Sequence, residues 1–248
     1  MSAPLTGVAV ITGASGGIGH AVARALARPG MSLCLIGRDP ARLDRCGRAI
    51  EGAAERSFTH AADLSSDEGI RGLVERVEAE GGRLDVLVHA AGSLALGSVE
   101  DATARDLDEQ LRVNLRAPFV LTQAFLPLLR RSQGQVVFVN SSAGLVPAAD
   151  NVLYAATKSA LRSLADGIRT HVNPWGIRVL SVFPGRTATA MQEAVCRFEG
   201  RDYEPANLLR PEDVAEIILA SLSLPRTAEV TEITIRPLRK SPSRRTGP

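Results

Sequence analysis

Short apolar runs alternate along this chain with longer stretches in which apolar positions recur every three or four residues. The runs at 8–12, 32–36, 57–61, 86–88, 135–139, 178–182 and 231–235 predict strands. Between them, 18–27, 40–53, 67–80, 103–130 and 152–172 carry the helical period, and Pro211 with Glu212 and Asp213 opens a further helix with proline at its first position and acids in its first turn. The strands are rich in Val, Ile and Leu without polar alternation, as expected of strands buried on both faces. Strand and helix in regular succession predict a doubly wound α/β fold with a parallel sheet between two helical layers.

Composition narrows this picture. The chain has 248 residues, 45% hydrophobic and 23% charged, with a net charge of +2. That suits one globular core and excludes collagen-like or disordered classes. Four cations, Arg239, Lys240, Arg244 and Arg245, fall in the last ten residues, and without them residues 1–238 carry −2. No nucleic-acid partner is expected, because phosphate neutralisation needs clustered cations on the folded surface. We expect one domain over 1–238 and a disordered basic tail over 239–248. Three cysteines, Cys34, Cys46 and Cys196, suggest neither a disulfide framework nor a metal site. No apolar run has the length to span a bilayer and no signal-peptide pattern opens the chain, so a cytoplasmic protein without membrane attachment is expected.

Directly after the first strand stands Thr12-Gly13-Ala14-Ser15-Gly16-Gly17-Ile18-Gly19, with a helical pattern following at once. Glycines here permit a tight turn and close approach of the backbone to a pyrophosphate, which the N–H groups and dipole of the helix N-terminus attract. This spacing resembles that of the short-chain dehydrogenase/reductases, whose fold is the Rossmann fold. The resemblance covers about residues 5–237. It implies an oxidoreductase that transfers hydride between a nicotinamide cofactor and a carbonyl or alcohol. Gly37 occupies the place where members preferring NAD carry an acid, and Arg38 follows it, so NADP(H) is expected in preference to NAD(H). Gly16 departs from this expectation, standing where many NADP-dependent relatives carry a second basic residue. Asp63 and Leu64 resemble the adenine contact, although Asp63 reads equally as a helix N-cap.

The proton-transfer set is identified in the same way. Tyr154 and Lys158 lie four residues apart, hence on one helix face. Delivering a proton to a developing alkoxide asks for a tyrosine whose pKa lies below the usual value of about 10, and a nearby lysine cation and the oxidised nicotinamide both favour the phenolate. Ser141, at the end of the strand 135–139 and thirteen residues before Tyr154, matches the family's catalytic serine, with Ser142 as the alternative. Neither serine has a histidine in a nucleophile-like setting, which disfavours a hydrolase. Pro118 has no N–H to return to the carbonyl of Asn114. In the family an asparagine here holds a relay water through that carbonyl.

Pro184-Gly185-Arg186-Thr187-Ala188-Thr189 resembles the segment that contacts the nicotinamide carboxamide through Pro184, Gly185, Thr187 and Thr189. His89-Ala90-Ala91-Gly92 stands where Asn-Asn-Ala-Gly is usual. Ala91 and Gly92 still permit close cofactor approach, while the asparagine hydrogen bonds are lost. The stretch from Thr189 to Arg210 shows no clear strand, and the resemblance implies a mobile lid there. Leu94, Leu96, Leu145, Val146, Met191, Phe198 and Tyr203 are expected to line an apolar substrate pocket. A homodimer or homotetramer is implied by the family alone. A non-catalytic NADP(H)-binding or redox-sensing protein is the alternative reading.

Overall fold

The structure is a computed structural model that describes residues 5–147 and 151–239. The basic tail expected from 239 onward lies, beyond its first residue, outside the described residues. Among the described residues seven strands form one parallel sheet in the order β3-β2-β1-β4-β5-β6-β7. They are β1 (Gly7–Thr12), β2 (Met31–Gly37), β3 (Arg56–Ala61), β4 (Val86–His89), β5 (Gln135–Val139), β6 (Arg178–Pro184) and β7 (Glu232–Ile235).

Helices cover both faces. On one side α1 (Gly17–Leu26), α2 (Pro40–Arg48) and α8 (Pro211–Leu222) pack over Ile11, Leu33, Leu35, Val88 and Val182. On the other, α3 (Asp67–Ala79), α5 (Ala117–Ser132) and α6 (Val152–Val172) pack over Val10, Cys34, Ile36, Leu87 and Phe138. Adjacent strand residues thus feed opposite cores, which is why the strands show no polar alternation.

Three local features differ from the helical pattern in the sequence. First, α2 stops at Arg48, and Gly52 takes a positive φ of 77° before β3. Second, the run 103–130 is not one helix. It comprises α4 (Ala104–Leu111), a π-helical turn Arg112–Arg116 and α5. Ala117 N–H bonds the carbonyl of Arg112 five residues back, and Pro118, with no N–H of its own, follows the widened turn. Third, the stretch expected to be a lid contains a helix, α7 (Ala190–Phe198), capped by Thr189.

The chain winds outward from β1 to β3, then returns to start the other half at β4. The C-terminal tips of β1 and β4 therefore flank the crevice where doubly wound sheets take their ligands.

Candidate active site

Two cavities meet above these tips. The first is a groove of about 470 Å³ running from the β1–α1 turn to the end of β2. Its floor is main chain. Gly13 has φ +68°, and a Cβ there would stand 2.6 Å from the carbonyl oxygen of Ala90. A Cβ on Gly19 would strike the carbonyl of Gly13, and one on Gly17 the side chain of Thr189. Thr12 ties the floor together. Its hydroxyl donates to Val88 O at 3.2 Å and accepts the N–H groups of Ala90 and Ala91 at 3.1 and 3.2 Å. Gly16 caps α1 without a side-chain hydrogen bond, and the first turn of that helix holds no acid. An anion would meet N–H groups and the positive helix end there.

Ser15, Gly16, Ile18, Arg38, Asp63, Leu64, Ala91 and Gly92 all line this groove. Arg42 joins them, a second cation that the sequence reading does not single out. It sits on the first turn of α2, where an arginine reads as an ordinary surface charge. A Cβ on Gly37 would lie 2.6 Å from Ser15 Oγ, which leaves little room for a larger residue. Asp39 is occupied as the N-cap of α2, accepting Arg42 N–H at 3.1 Å. Asp63 is not a helix cap. It accepts Ser65 N–H at 2.9 Å while Ser66 caps α3, and chiefly that bond, with the Arg38 charge adding to it, holds its carboxyl below the usual range.

The second cavity, about 320 Å³, lies between the tips of β5 and β6 and α7. Leu94, Leu96, Val146, Met191 and Phe198 line it, with Pro184, Gly185, Thr187 and Thr189. Leu145 and Tyr203 do not. Leu145 ends the 3₁₀ turn Ser142–Gly144, and Tyr203 lies beyond α7, so nearness in sequence misplaces both. The cleft also carries a charged element the sequence reading lacks. Arg186 grips Glu199 through both guanidinium nitrogens, one at 2.8 Å, and joins the β6 tip to the end of α7. Thr187 donates to Gly185 O at 2.9 Å, and the segment pairs with Leu209 through the Ala188 N–H and the Arg186 carbonyl.

Where groove and cleft meet stands Tyr154, which lines both. Burial raises its pKa, and a hydrogen bond with the Ser141 hydroxyl works in the opposite direction. Ser141 Oγ also accepts Ala143 N–H at 3.1 Å, so its own proton is free to point at Tyr154 or at a bound oxygen. Ser142 lines the cleft too, but the bond to the phenol belongs to Ser141.

One turn along α6, Lys158 is only 3% exposed. Its Nζ donates to Val139 O at 3.1 Å and lies 5.7 Å from the centre of the Tyr154 ring. Burial brings its pKa down to about 8. The phenol's upward shift thus runs against the sequence expectation of a phenolate favoured by its lysine, because desolvation dominates.

Asn114 sits in the π turn with its side chain wholly buried. Its Oδ1 accepts Ser93 N–H at 2.8 Å, while Nδ2 donates to Ser93 O at 2.9 Å and to Thr157 Oγ1 at 3.0 Å. The amide therefore clamps the loop after β4 to α6, beside Lys158.

These features define a doubly wound α/β protein with a glycine-floored groove and a Ser, Tyr and Lys set where that groove meets a second cleft. Residues 7–200 match the short chain dehydrogenase family, and the chain belongs to it. It is an oxidoreductase of that family. An uncharacterized oxidoreductase of Staphylococcus epidermidis is 31% identical over 93% of this chain and 97% of its own. Among solved structures, an alcohol dehydrogenase from the archaeon Thermococcus sibiricus, complexed with 5-hydroxy-NADP, superposes with a TM-score of 0.86 at 29% identity, covering 96% of this chain and 100% of that one. A metagenomic short-chain oxidoreductase in complex with NADP gives 0.80 at 31%, covering 94% and 97%. Among the described residues no helix is long and apolar enough to cross a membrane. None of their His, Cys, Asp and Glu side chains form a group of three or more placed to hold a metal ion.

Proposed function

We propose that this protein interconverts a carbonyl compound and its alcohol with NADP(H), using Tyr154 as general acid and base. The observation that carries the reading is Tyr154 itself, bonded to Ser141, one helical turn from buried Lys158 and lining both cavities. The groove suits NADP(H). Its glycine floor has no room for side chains, the N-terminus of α1 is open to a pyrophosphate, and Arg38 and Arg42 flank the end where a ribose 2′-phosphate would lie. When bound, the reduced nicotinamide supplies the hydride for the carbonyl carbon.

The chain's own residues handle the oxygen. Ser141 donates a hydrogen bond that polarises the carbonyl, and Tyr154 delivers the proton as the alkoxide develops. With its pKa raised by burial, the phenol is protonated near neutrality, which suits reduction; alcohol oxidation needs it ionised and therefore gains as pH rises. Lys158 adds positive charge beside the phenol below a pH of about 8. Asn114 holds the loop and α6 in register and, by family resemblance, serves a water relay to that lysine. The cleft's apolar wall suits a substrate with apolar character. The half-exposed Phe119 on α5 and Val152 on α6 suit the homodimer or homotetramer expected from the family, and light scattering tests that.

The deciding experiment follows NADPH consumption over carbonyl compounds graded by size and polarity, with NADH in parallel. We expect turnover of apolar ketones with NADPH, a loss of about a thousandfold or more in Tyr154→Phe, and NADPH binding unchanged within a few-fold. Undiminished turnover in that variant refutes the assignment. Binding without turnover of any carbonyl leaves a nucleotide-binding protein.

A further inference from the structure

We propose that a third cavity, beside the cleft, receives the far end of the substrate, which fits the protein to carbonyl compounds carrying a long, uncharged alkyl tail. This rests on the reading that Ser141 and Tyr154 hold the reacting oxygen in the cleft.

The cavity has a volume of about 340 Å³ and lies between the loop after β4, the first turn of α4 and the start of α6. Leu96, Val99, Ala102, Leu107, Val152 and Leu153 line it. The polar side chains of its wall are turned to one another. Ser98 Oγ donates to Asp101 Oδ2 at 2.8 Å, and Thr103 and Asp106 form the capping box of α4, with Thr103 Oγ1 donating to Asp106 Oδ2 at 2.6 Å. The hydroxyls are thus spent within the wall, and the two carboxylates repel an anionic occupant. Val99 is 68% exposed and Val152 39%. Large apolar side chains left bare around a concavity mark a place where apolar surface is to be covered.

Two segments join this cavity to the cleft. The loop after β4 gives Leu94 to the cleft and Val99 to the cavity, and Leu96 is a wall of both. The start of α6 gives Asn151 and Tyr154 to the cleft and, between them, Val152 and Leu153 to the cavity. A substrate whose reacting carbon is held at Tyr154 and whose tail outgrows the cleft meets Leu96, the wall shared with the cavity. A methylene needs no hydrogen-bond partner, and each one moved from water onto such a wall is worth about threefold to fourfold in affinity.

The test compares 2-pentanone, short enough for the cleft alone, with 2-undecanone, by kcat/KM with NADPH. We expect the wild-type protein to favour the longer ketone by about 100-fold or more. Two variants then act on the cavity: Leu107→Trp fills it, and Val99→Asp sets a charge at its exposed edge, where substitution is cheap for the fold. Each is expected to lower the ratio of the long ketone over the short by about tenfold or more, with urea denaturation reporting folding separately. An unchanged ratio in either folded variant overturns the proposal. That includes the case in which both ketones slow alike, as they would if the cavity served contact between subunits. A wild-type protein that reduces other carbonyl compounds but gains nothing from chain length overturns it as well. Failure to reduce any carbonyl compound overturns instead the reading of Ser141 and Tyr154.

Discussion

Between the tips of β1 and β2 the floor of the site is made of main chain and of absent side chains. Gly13, Gly17 and Gly19 leave no space for a Cβ, and Thr12 is spent on three hydrogen bonds that join one loop to the next. Between the tips of β5 and β6 the site is made of side chains: Asn140, Ser141, Tyr154 and, behind them, Lys158. In the proposed function the first wall serves fold and ligand with the same atoms. The second buries a lysine and an unpartnered amide donor, which carry a cost in the folded chain. One wall is therefore expected to lose stability and binding together when altered, and the other to lose activity while stability holds or rises.

Lys158→Met tests the second half of that statement most severely. The folded pKa of about 8 lies below the ordinary lysine value, so below pH 8 the folded chain holds an ammonium that the unfolded chain would solvate. Stability tied to this group is lowest below pH 8 and recovers as pH rises towards about 10.5. We expect kcat to fall about a thousandfold or more, about 4 kcal/mol, while urea denaturation at pH 7 shows a gain of about 1 to 3 kcal/mol that shrinks above pH 8. A variant destabilised at every pH would show that the lysine supports the fold.

On the glycine wall the same measurements are expected to move together. Gly13→Val meets a positive φ and the Ala90 carbonyl at once, so a loss of about 3 kcal/mol or more by urea denaturation is expected, with NADPH binding lost alongside. Normal stability with binding lost would separate two functions that the geometry joins.

This contrast also decides what the sequence made legible. Strand positions came through almost to the residue, since burial on both faces writes a continuous apolar run, as in β5 at Gln135–Val139. The glycine turn was equally plain, because a Cβ would clash at Gly13, Gly17 and Gly19. Residues whose role depends on a neighbour from elsewhere in the chain were not. Arg42 joins the site through the groove it borders and Glu199 through Arg186; neither has a local signature. The π turn was half legible: Pro118 announces a missing hydrogen bond, but not that the chain widens to Ala117→Arg112 instead of kinking. Helix α7 was missed although Met191, Ala194, Val195 and Phe198 recur at helical spacing, because that stripe faces the cleft and only Cys196 of its nine residues is buried in the core.

Cofactor choice is a smaller effect and sharpens the first wall. If Arg38 and Arg42 share a 2′-phosphate, Arg38→Asp should lower the ratio of kcat/KM for NADPH over NADH by about 10- to 100-fold, roughly 1.4 to 2.7 kcal/mol. Arg42→Ala should lower it by less. An unchanged ratio in both variants would assign the two arginines to solvent.

The seam between the walls carries the smallest predicted effect, and it depends on pH. His89 ends β4, is 3% exposed, stacks on Phe138 with ring centres 4.9 Å apart, and lies 2.9 Å from Thr122 Oγ1 through Nε2. Thr122 gives its own proton to Pro118 O at 2.7 Å, so it accepts from His89, which fixes a neutral ring protonated on Nε2. Burial lowers the folded pKa to about 3, against 6.5 in the unfolded chain. The stability tied to His89 is therefore complete above pH 6.5 and is lost as pH falls towards 3, at about 1.4 kcal/mol per pH unit. His89→Asn should leave stability at pH 7 within about 1 kcal/mol and flatten the denaturation midpoint between pH 6.5 and 4.5 by one proton's worth. Because His89 leads into Ala90 and Ala91, bonded to Thr12, and reaches through Thr122 to the proline after the π turn, acid should loosen both walls together. Cofactor affinity and activity should then decline in parallel in wild type and be spared in His89→Asn; a midpoint that falls equally steeply in both proteins would move the acid sensitivity to another group.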